Sequence, residues 1–113
     1  MPNRNYRKGR AYEYEIKKRY EKLGYTVFRT AGSHSPADLI AVKNIMSRLE
    51  VLLIQCKTTK KSIDYRPRPF EREGRIFNKW ARSLGCLGRF FVKGRYSEIS
   101  YDSEVGDGYA VFH

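Results

Sequence analysis

An α/β fold, with a small mixed β-sheet of about five strands flanked by helices, is what this 113-residue sequence predicts. Three observations predict it. Two segments have helical spacing of apolar residues, and each runs into a glycine. Between and after them lie short runs rich in β-branched and aromatic residues, separated by turn formers. One helix falls between the third and fourth strands, where a parallel crossover is permitted, whereas the other connections are short enough for antiparallel hairpins.

The first helix is expected over residues 8–23, "KGRAYEYEIKKRYEKL", with Gly24 as its C-terminal glycine. Ile16, Tyr20 and Leu23 follow three-and-four spacing, and charged residues fill much of the rest. "YTVFRT" (25–30) reads as a strand, "AGSHSP" (31–36) as a loop, and "DLIAVK" (38–43) and "LEVLLIQCK" (49–57) as strands two and three. Residues 58–69 form a polar loop containing prolines. A second helix covers about 70–84, closed by Gly85, with Ile76, Phe77, Trp80, Ala81 and Leu84 on one side. "LGRFFVK" (87–93) and "YSEISY" (96–101) are strands turned by Gly94-Arg95, and "GYAVFH" (108–113) admits a last short strand.

The length suggests a single domain over residues 1–113, enough to bury a core without disulfides. A hydrophobic content of 41% and nine tyrosines argue against disorder. The longest strictly aliphatic run, Val51–Ile54, is far short of a membrane span, and the basic N-terminal stretch lacks the apolar segment of a signal peptide. A soluble, cytoplasmic protein is therefore expected, with Cys56 and Cys86 as reduced core residues. The net charge of +11 favours a polyanion partner. Nucleic acid comes before a membrane surface, because no segment opposes an apolar face to a basic one.

The polar residues at the strand ends carry the chemistry. With strands two and three as an antiparallel hairpin, a register pairing Lys43 with Glu50 makes a favourable charge pair and sets Asp38 opposite Gln55. Alternation puts Gln55 and Lys57 on one face and Cys56 on the other. Glu13 is spaced from Ile16, Tyr20 and Leu23 so that it lies on the helix stripe expected to face the sheet, where a carboxylate must be paired or hold a cation. Glu15 and Glu21 have basic neighbours four residues away and read as solvated surface. Two acids, an amide carbonyl and a lysine suit divalent-metal hydrolysis of a phosphodiester: Mg²⁺ prefers oxygen ligands, and a lysine neutralises charge on the phosphate. A structural Asp–Lys ion pair at a strand end is the alternative.

The pattern resembles the PD-(D/E)xK nuclease superfamily, and within it the archaeal Holliday-junction resolvases. The resemblance runs through "YRKGRAYEYEIKKRYEKLGYTVFRTAGS" (6–33), "PADLIAV" and "LLIQCKTTKK", covering residues 6–61. It implies a restriction-endonuclease-like fold, Mg²⁺ with Mn²⁺ as substitute, a homodimer, four-way DNA junctions as substrate and an archaeal or viral source. By the resemblance, Glu13 is the helix acid, Asp38 the metal-binding aspartate and Lys57 the catalytic lysine. Arg29 serves the site or the DNA backbone, Lys8 is the N-terminal DNA contact flanked by Arg7 and Arg10, and Ser33 lies near the scissile phosphate. Gln55 departs from the family's usual glutamate. It keeps a carbonyl oxygen but loses a charge, so the implied metal set is Glu13, Asp38 and Gln55. Two other readings stay open: a nuclease of flaps, ends or damaged duplex, and a DNA-binding relative without activity.

Further basic residues are candidate phosphate contacts. Arg72, Arg75, Lys79 and Arg82 recur at three-and-four spacing on the second helix, Arg66 and Arg68 lie in the "YRPRP" loop, and Lys60 and Lys61 follow the third strand. Each also reads as ordinary solvated surface. His34 is read as an incidental loop histidine, and His113 is given no role.

Overall fold

A computed structural model of the chain describes residues 4–30, 35–63, 68–106 and 109–113, and the side chains of these from residue 7 onward. The elements are α1 (Arg4–Lys22), β1 (Thr26–Arg29), β2 (Leu39–Ile45), β3 (Arg48–Thr58), α2 (Glu71–Ser83), β4 (Leu87–Lys93), β5 (Glu98–Asp102) and β6 (Ala110–Phe112). They build one sheet in the order β1-β2-β3-β4-β5-β6. Among the described residues only β3 and β4 pair in parallel, across the α2 crossover, and the remaining pairs are antiparallel. The mixed sheet is thus as expected, with six strands because the short C-terminal segment pairs with β5.

α1 starts at Arg4 rather than at residue 8, so "YRKGR" is helical. Gly9 sits inside the helix with open space where a Cβ would be. A lone glycine weakens a helix by only about 1 kcal/mol, and the packed turns that follow tolerate it. Gly24 ends the helix in the left-handed region, at φ 93°, as expected of a C-terminal glycine.

Each face of the sheet carries one helix. Tyr12, Ile16 and Tyr20 of α1 pack on Val27, Leu39, Ala41, Leu52, Ile54, Cys56 and Phe91. The buried stripe therefore runs through Tyr12, not through Glu13 and Leu23. Leu23 is 56% exposed, because it follows the last helical turn where the chain bends away.

On the other face, Phe77 and Ala81 of α2 join Ala37, Leu53, Ile63, Phe90, Val92, Ile99 and Tyr101. Ile76 and Leu84, expected inward, are exposed. Glycines explain the roll of this helix. A Cβ on Gly74 would lie 2.8 Å from Tyr101 Cδ2, and one on Gly88 would lie 2.6 Å from Asn78 Oδ1. Such close approach centres the buried face on Gly74, Phe77, Asn78 and Ala81. The Asn78 amide then donates to the Tyr101 carbonyl oxygen at 3.0 Å.

Candidate active site at the end of the sheet

Register between β2 and β3 is the expected one from Lys43↔Glu50 down to Leu39↔Ile54. At Asp38 it changes. The Asp38 N–H donates to the Ile54 carbonyl oxygen at 2.8 Å, although Ile54 is already the partner of Leu39. Two residues of one chain segment thus meet one residue of the other, as in a β-bulge, which re-aims a side chain and ends pairing. Asp38 is therefore not simply opposite Gln55. Its backbone is held from both sides, since its carbonyl oxygen accepts from Thr30 N–H at 3.0 Å. Pro36, two residues earlier, has no N–H with which to prolong the ladder.

Where β2 stops, its side chain takes over. Asp38 Oδ2 accepts the Cys56 N–H at 2.9 Å, a backbone donor that continued pairing would have engaged. Burial raises the Asp38 pKa first of all. The Cys56 N–H works against that, the Glu13 carboxylate raises it further, and Lys57 and Arg29 lower it. The Cys56 thiol is pushed well up by burial, with Asp38 and Glu13 adding to it. The charges of Glu13, Arg29 and Lys57 thus all act on Asp38.

Glu13 is half-buried beside the α1 stripe and paired: Arg29 Nε donates to its Oε2 at 3.1 Å. Gln55 and Lys57 are both half-buried, one on each side of the buried Cys56 in the alternation of β3. Four of the five predicted catalytic residues lie at one end of the sheet but not on one face: α1 with Glu13 packs on the Cys56 side, whereas Gln55 and Lys57 share the alternation phase of Leu53 on the α2 side, which corrects the expectation that all four converge on a single face. The fifth, Ser33, lies outside the described residues, as do His34 and Arg66.

The donor set suits a hard cation. Among the described residues no group of three or more His, Cys, Asp or Glu is placed to hold a metal. The expected set is two carboxylates and an amide oxygen, and Mg²⁺ characteristically takes one or two carboxylates and completes its shell with water and phosphate oxygens. A half-buried carboxyl whose pKa is raised by burial and by the charge of a second carboxylate is the kind of group a cation would relieve.

The predicted basic residues divide. Arg7, Lys8 and Arg10 are exposed on α1, and Lys60 and Lys61 are exposed beyond β3. Arg72 and Arg75 are exposed on α2, with Arg75 paired to Glu71 at 3.2 Å. Arg68 is instead half-buried, its guanidinium 5.3 Å from the Phe112 ring centroid, because β6 closes the sheet beside it. Two other readings change. Arg19 pairs with Glu98 of β5 rather than with Glu15, and Glu15 takes Lys93 of β4 at 3.2 Å. His113 approaches Phe91 and lies 2.8 Å from Ser100 Oγ.

Sequence reasoning missed a groove of about 790 Å³ beside this end of the sheet, lined by Lys8, Tyr12, Thr58, Lys60, Lys93 and Arg95 among others. Lys93 lies across from Thr58 through the parallel β3–β4 register. The one available signal was the crossover itself, which puts the C-terminal ends of β3 and β4 side by side.

Comparison with known proteins identifies the family and the fold. Residues 4–85 match the family model described as archaeal Holliday junction resolvase (Hjc). The crossover junction endodeoxyribonuclease Hjc of Methanocaldococcus jannaschii is 45% identical over 60 residues, which span 53% of this chain but only 41% of that relative. The structure of Archaeoglobus fulgidus Hjc, a Holliday junction resolvase, shares the fold, with a TM-score of 0.56 at 20% identity over 86% of this chain and 74% of that one. The family model spans well over half of the chain, which accordingly belongs to the archaeal Holliday junction resolvase (Hjc) family.

Proposed function

We propose that the chain is a metal-dependent, structure-specific DNA endonuclease that resolves four-way junctions by paired symmetric cleavage of phosphodiesters. The observation that carries this reading is the placement at one end of the sheet of Asp38, whose carboxylate accepts the Cys56 N–H, and of Glu13 of α1, which pairs with Arg29 of β1. The net charge of +11 and the family of the chain supply the substrate class. Asp38, Glu13 and the Gln55 carbonyl oxygen would hold Mg²⁺, or Mn²⁺ in its place. Such an ion, when bound, activates a water and offsets charge on the phosphate.

The residues of the chain do the rest. The Cys56 N–H fixes the Asp38 carboxylate. Arg29 orients Glu13 and adds positive charge near the backbone of the substrate. Lys57 neutralises charge that builds on the phosphate oxygens, where a preorganised ammonium needs no rearrangement at the moment of reaction. Paired nicks require two such sites, and a twofold homodimer supplies them. The exposed Ile76 and Leu84 are candidate contacts for it. A DNA substrate of this kind places the protein in the cytoplasm.

Gln55 favours a second reading, a DNA-binding relative that does not cut. One assay decides, using labelled four-way junction, flap and linear duplex with Mg²⁺ or with EDTA. Paired symmetric nicks in the junction alone, with metal, are expected. Preferential cutting of the flap or duplex overturns the substrate assignment. Tight junction binding without cutting in Mg²⁺ or Mn²⁺ establishes the inactive relative.

A further inference from the structure

We propose that Tyr96, in the turn between β4 and β5, is a stacking platform for an unpaired base of the DNA, and that the adjoining basic groove carries the phosphates of that strand. The inference rests on the nuclease reading above and adds a contact outside the candidate catalytic residues.

Position comes first. β4 runs parallel to β3, with Lys57↔Val92 and Thr58↔Lys93 in register, so the turn after Lys93 emerges at the same end of the sheet as Lys57. The turn is also fixed. Gly94 N–H donates to the Ser97 carbonyl oxygen at 2.8 Å, and Thr59 N–H donates to the Lys93 carbonyl oxygen at 3.0 Å. A Cβ on Gly94 would stand 3.0 Å from Ile63 Cγ2 and 3.2 Å from the Lys61 carbonyl oxygen, so the turn lies directly on the segment that follows β3. Ile63 is itself fully buried, which anchors that segment to the core.

On this fixed turn Tyr96 is 77% exposed. Arg95 covers part of its ring, with the guanidinium carbon 5.3 Å from the ring centroid. An exposed aromatic ring with a cation on it is the combination that holds single-stranded nucleic acid: the ring stacks a base of any sequence while the cation meets the backbone. The groove alongside presents Lys8, Lys60, Lys93 and Arg95 against one acid, Glu15, which is already paired with Lys93. Its charge fits a phosphate backbone. Stacking would also favour a branched substrate, because bases at a branch point are more easily unpaired than those within a duplex.

The test measures binding to a four-way junction and to linear duplex without divalent metal, using junctions that carry 2-aminopurine at the branch point. Tyr96→Ala is expected to weaken junction binding by about 5- to 100-fold and to abolish the protein-dependent change in 2-aminopurine emission. Duplex affinity should stay within about twofold, and Tyr96→Phe should behave as the parent, since a phenyl ring stacks equally well. Arg95→Ala should lower the slope of log affinity against log salt by about one. Unaltered junction affinity and emission in Tyr96→Ala, while the parent protein still cuts junctions, overturn the platform alone. A parent protein that neither binds nor cuts junctions overturns the nuclease reading along with it.

Discussion

Asp38 is half-buried, and its pKa is raised chiefly by that burial, with the Glu13 charge adding to it. For a carboxyl so raised, the stability it contributes is present below its ordinary pKa and lost as pH rises through the folded one. At neutral pH the ionised group is therefore a cost, which a cation would offset. Asp38→Asn keeps an oxygen for the Cys56 N–H and removes the charge. It should lower cleavage by at least roughly 100-fold while leaving junction binding within about twofold. In a thermal melt at pH 7 without divalent ions it should unfold above the parent. Normal cutting by this variant would remove Asp38 from the site. Gln55→Glu restores a second carboxylate to the strand pair, and a Mg²⁺ titration of cleavage should shift to lower concentration, by about tenfold. An unchanged titration takes Gln55 out of the coordination shell.

At the scale of elements, two attachments hold the helices to the sheet, and each is testable. α2 lies close to β4 and β5 because Gly74 and Gly88 offer no Cβ. Gly88→Ala must push Asn78 and Ala81 outward and should cost about 1–3 kcal/mol in denaturant unfolding. Gly9→Ala in α1 meets open space and should instead stabilise, by roughly 0.5–1 kcal/mol. α1 is tied to β5 by a two-pronged contact in which both terminal nitrogens of Arg19 meet the Glu98 carboxylate. Burial works to raise the Glu98 pKa, but the Arg19 hydrogen bonds and charge outweigh it and the net shift is downward.

A carboxylate depressed in this way contributes stability above its ordinary value of 4.5, which is lost as pH falls through the folded value. Glu98→Gln should therefore cost about 1–2 kcal/mol at pH 7, a modest figure because water screens the 38%-exposed Arg19, and should flatten the loss of stability in acid. Equal acid sensitivity of variant and parent in pH-dependent melts would assign that loss to other carboxylates.

For the whole molecule, the charge of +11 should govern binding. With about six phosphates contacted, junction affinity should fall about 10³-fold between roughly 50 and 200 mM salt, measured by anisotropy with EDTA present. A shallow dependence would mean that apolar or base contacts, not the phosphate backbone, hold the DNA.

Much of this architecture was legible in the linear chain. Glycines marked both helix ends, and the Lys43–Glu50 pairing set the hairpin register. Glu13, Asp38, Gln55 and Lys57 stood out as polar residues at the borders of apolar runs, but the face each takes was not legible, because it depends on how α1 and α2 cover the sheet. These signals are local: they depend on backbone propensity, on alternation and on charge pairs between strands joined by a short turn. What only the tertiary structure decided depends on groups distant in sequence. The bulge at Asp38 depends on where β3 presents the Ile54 carbonyl and the Cys56 N–H. The inward faces of α1 and α2 depend on which side chains the sheet can admit, so Tyr12 displaced Leu23, and small residues displaced Ile76 and Leu84. The groove exists because β4 returns parallel to β3, and no spacing within either strand announces that neighbour. Local patterns fix elements, whereas burial and close approach between elements choose the faces.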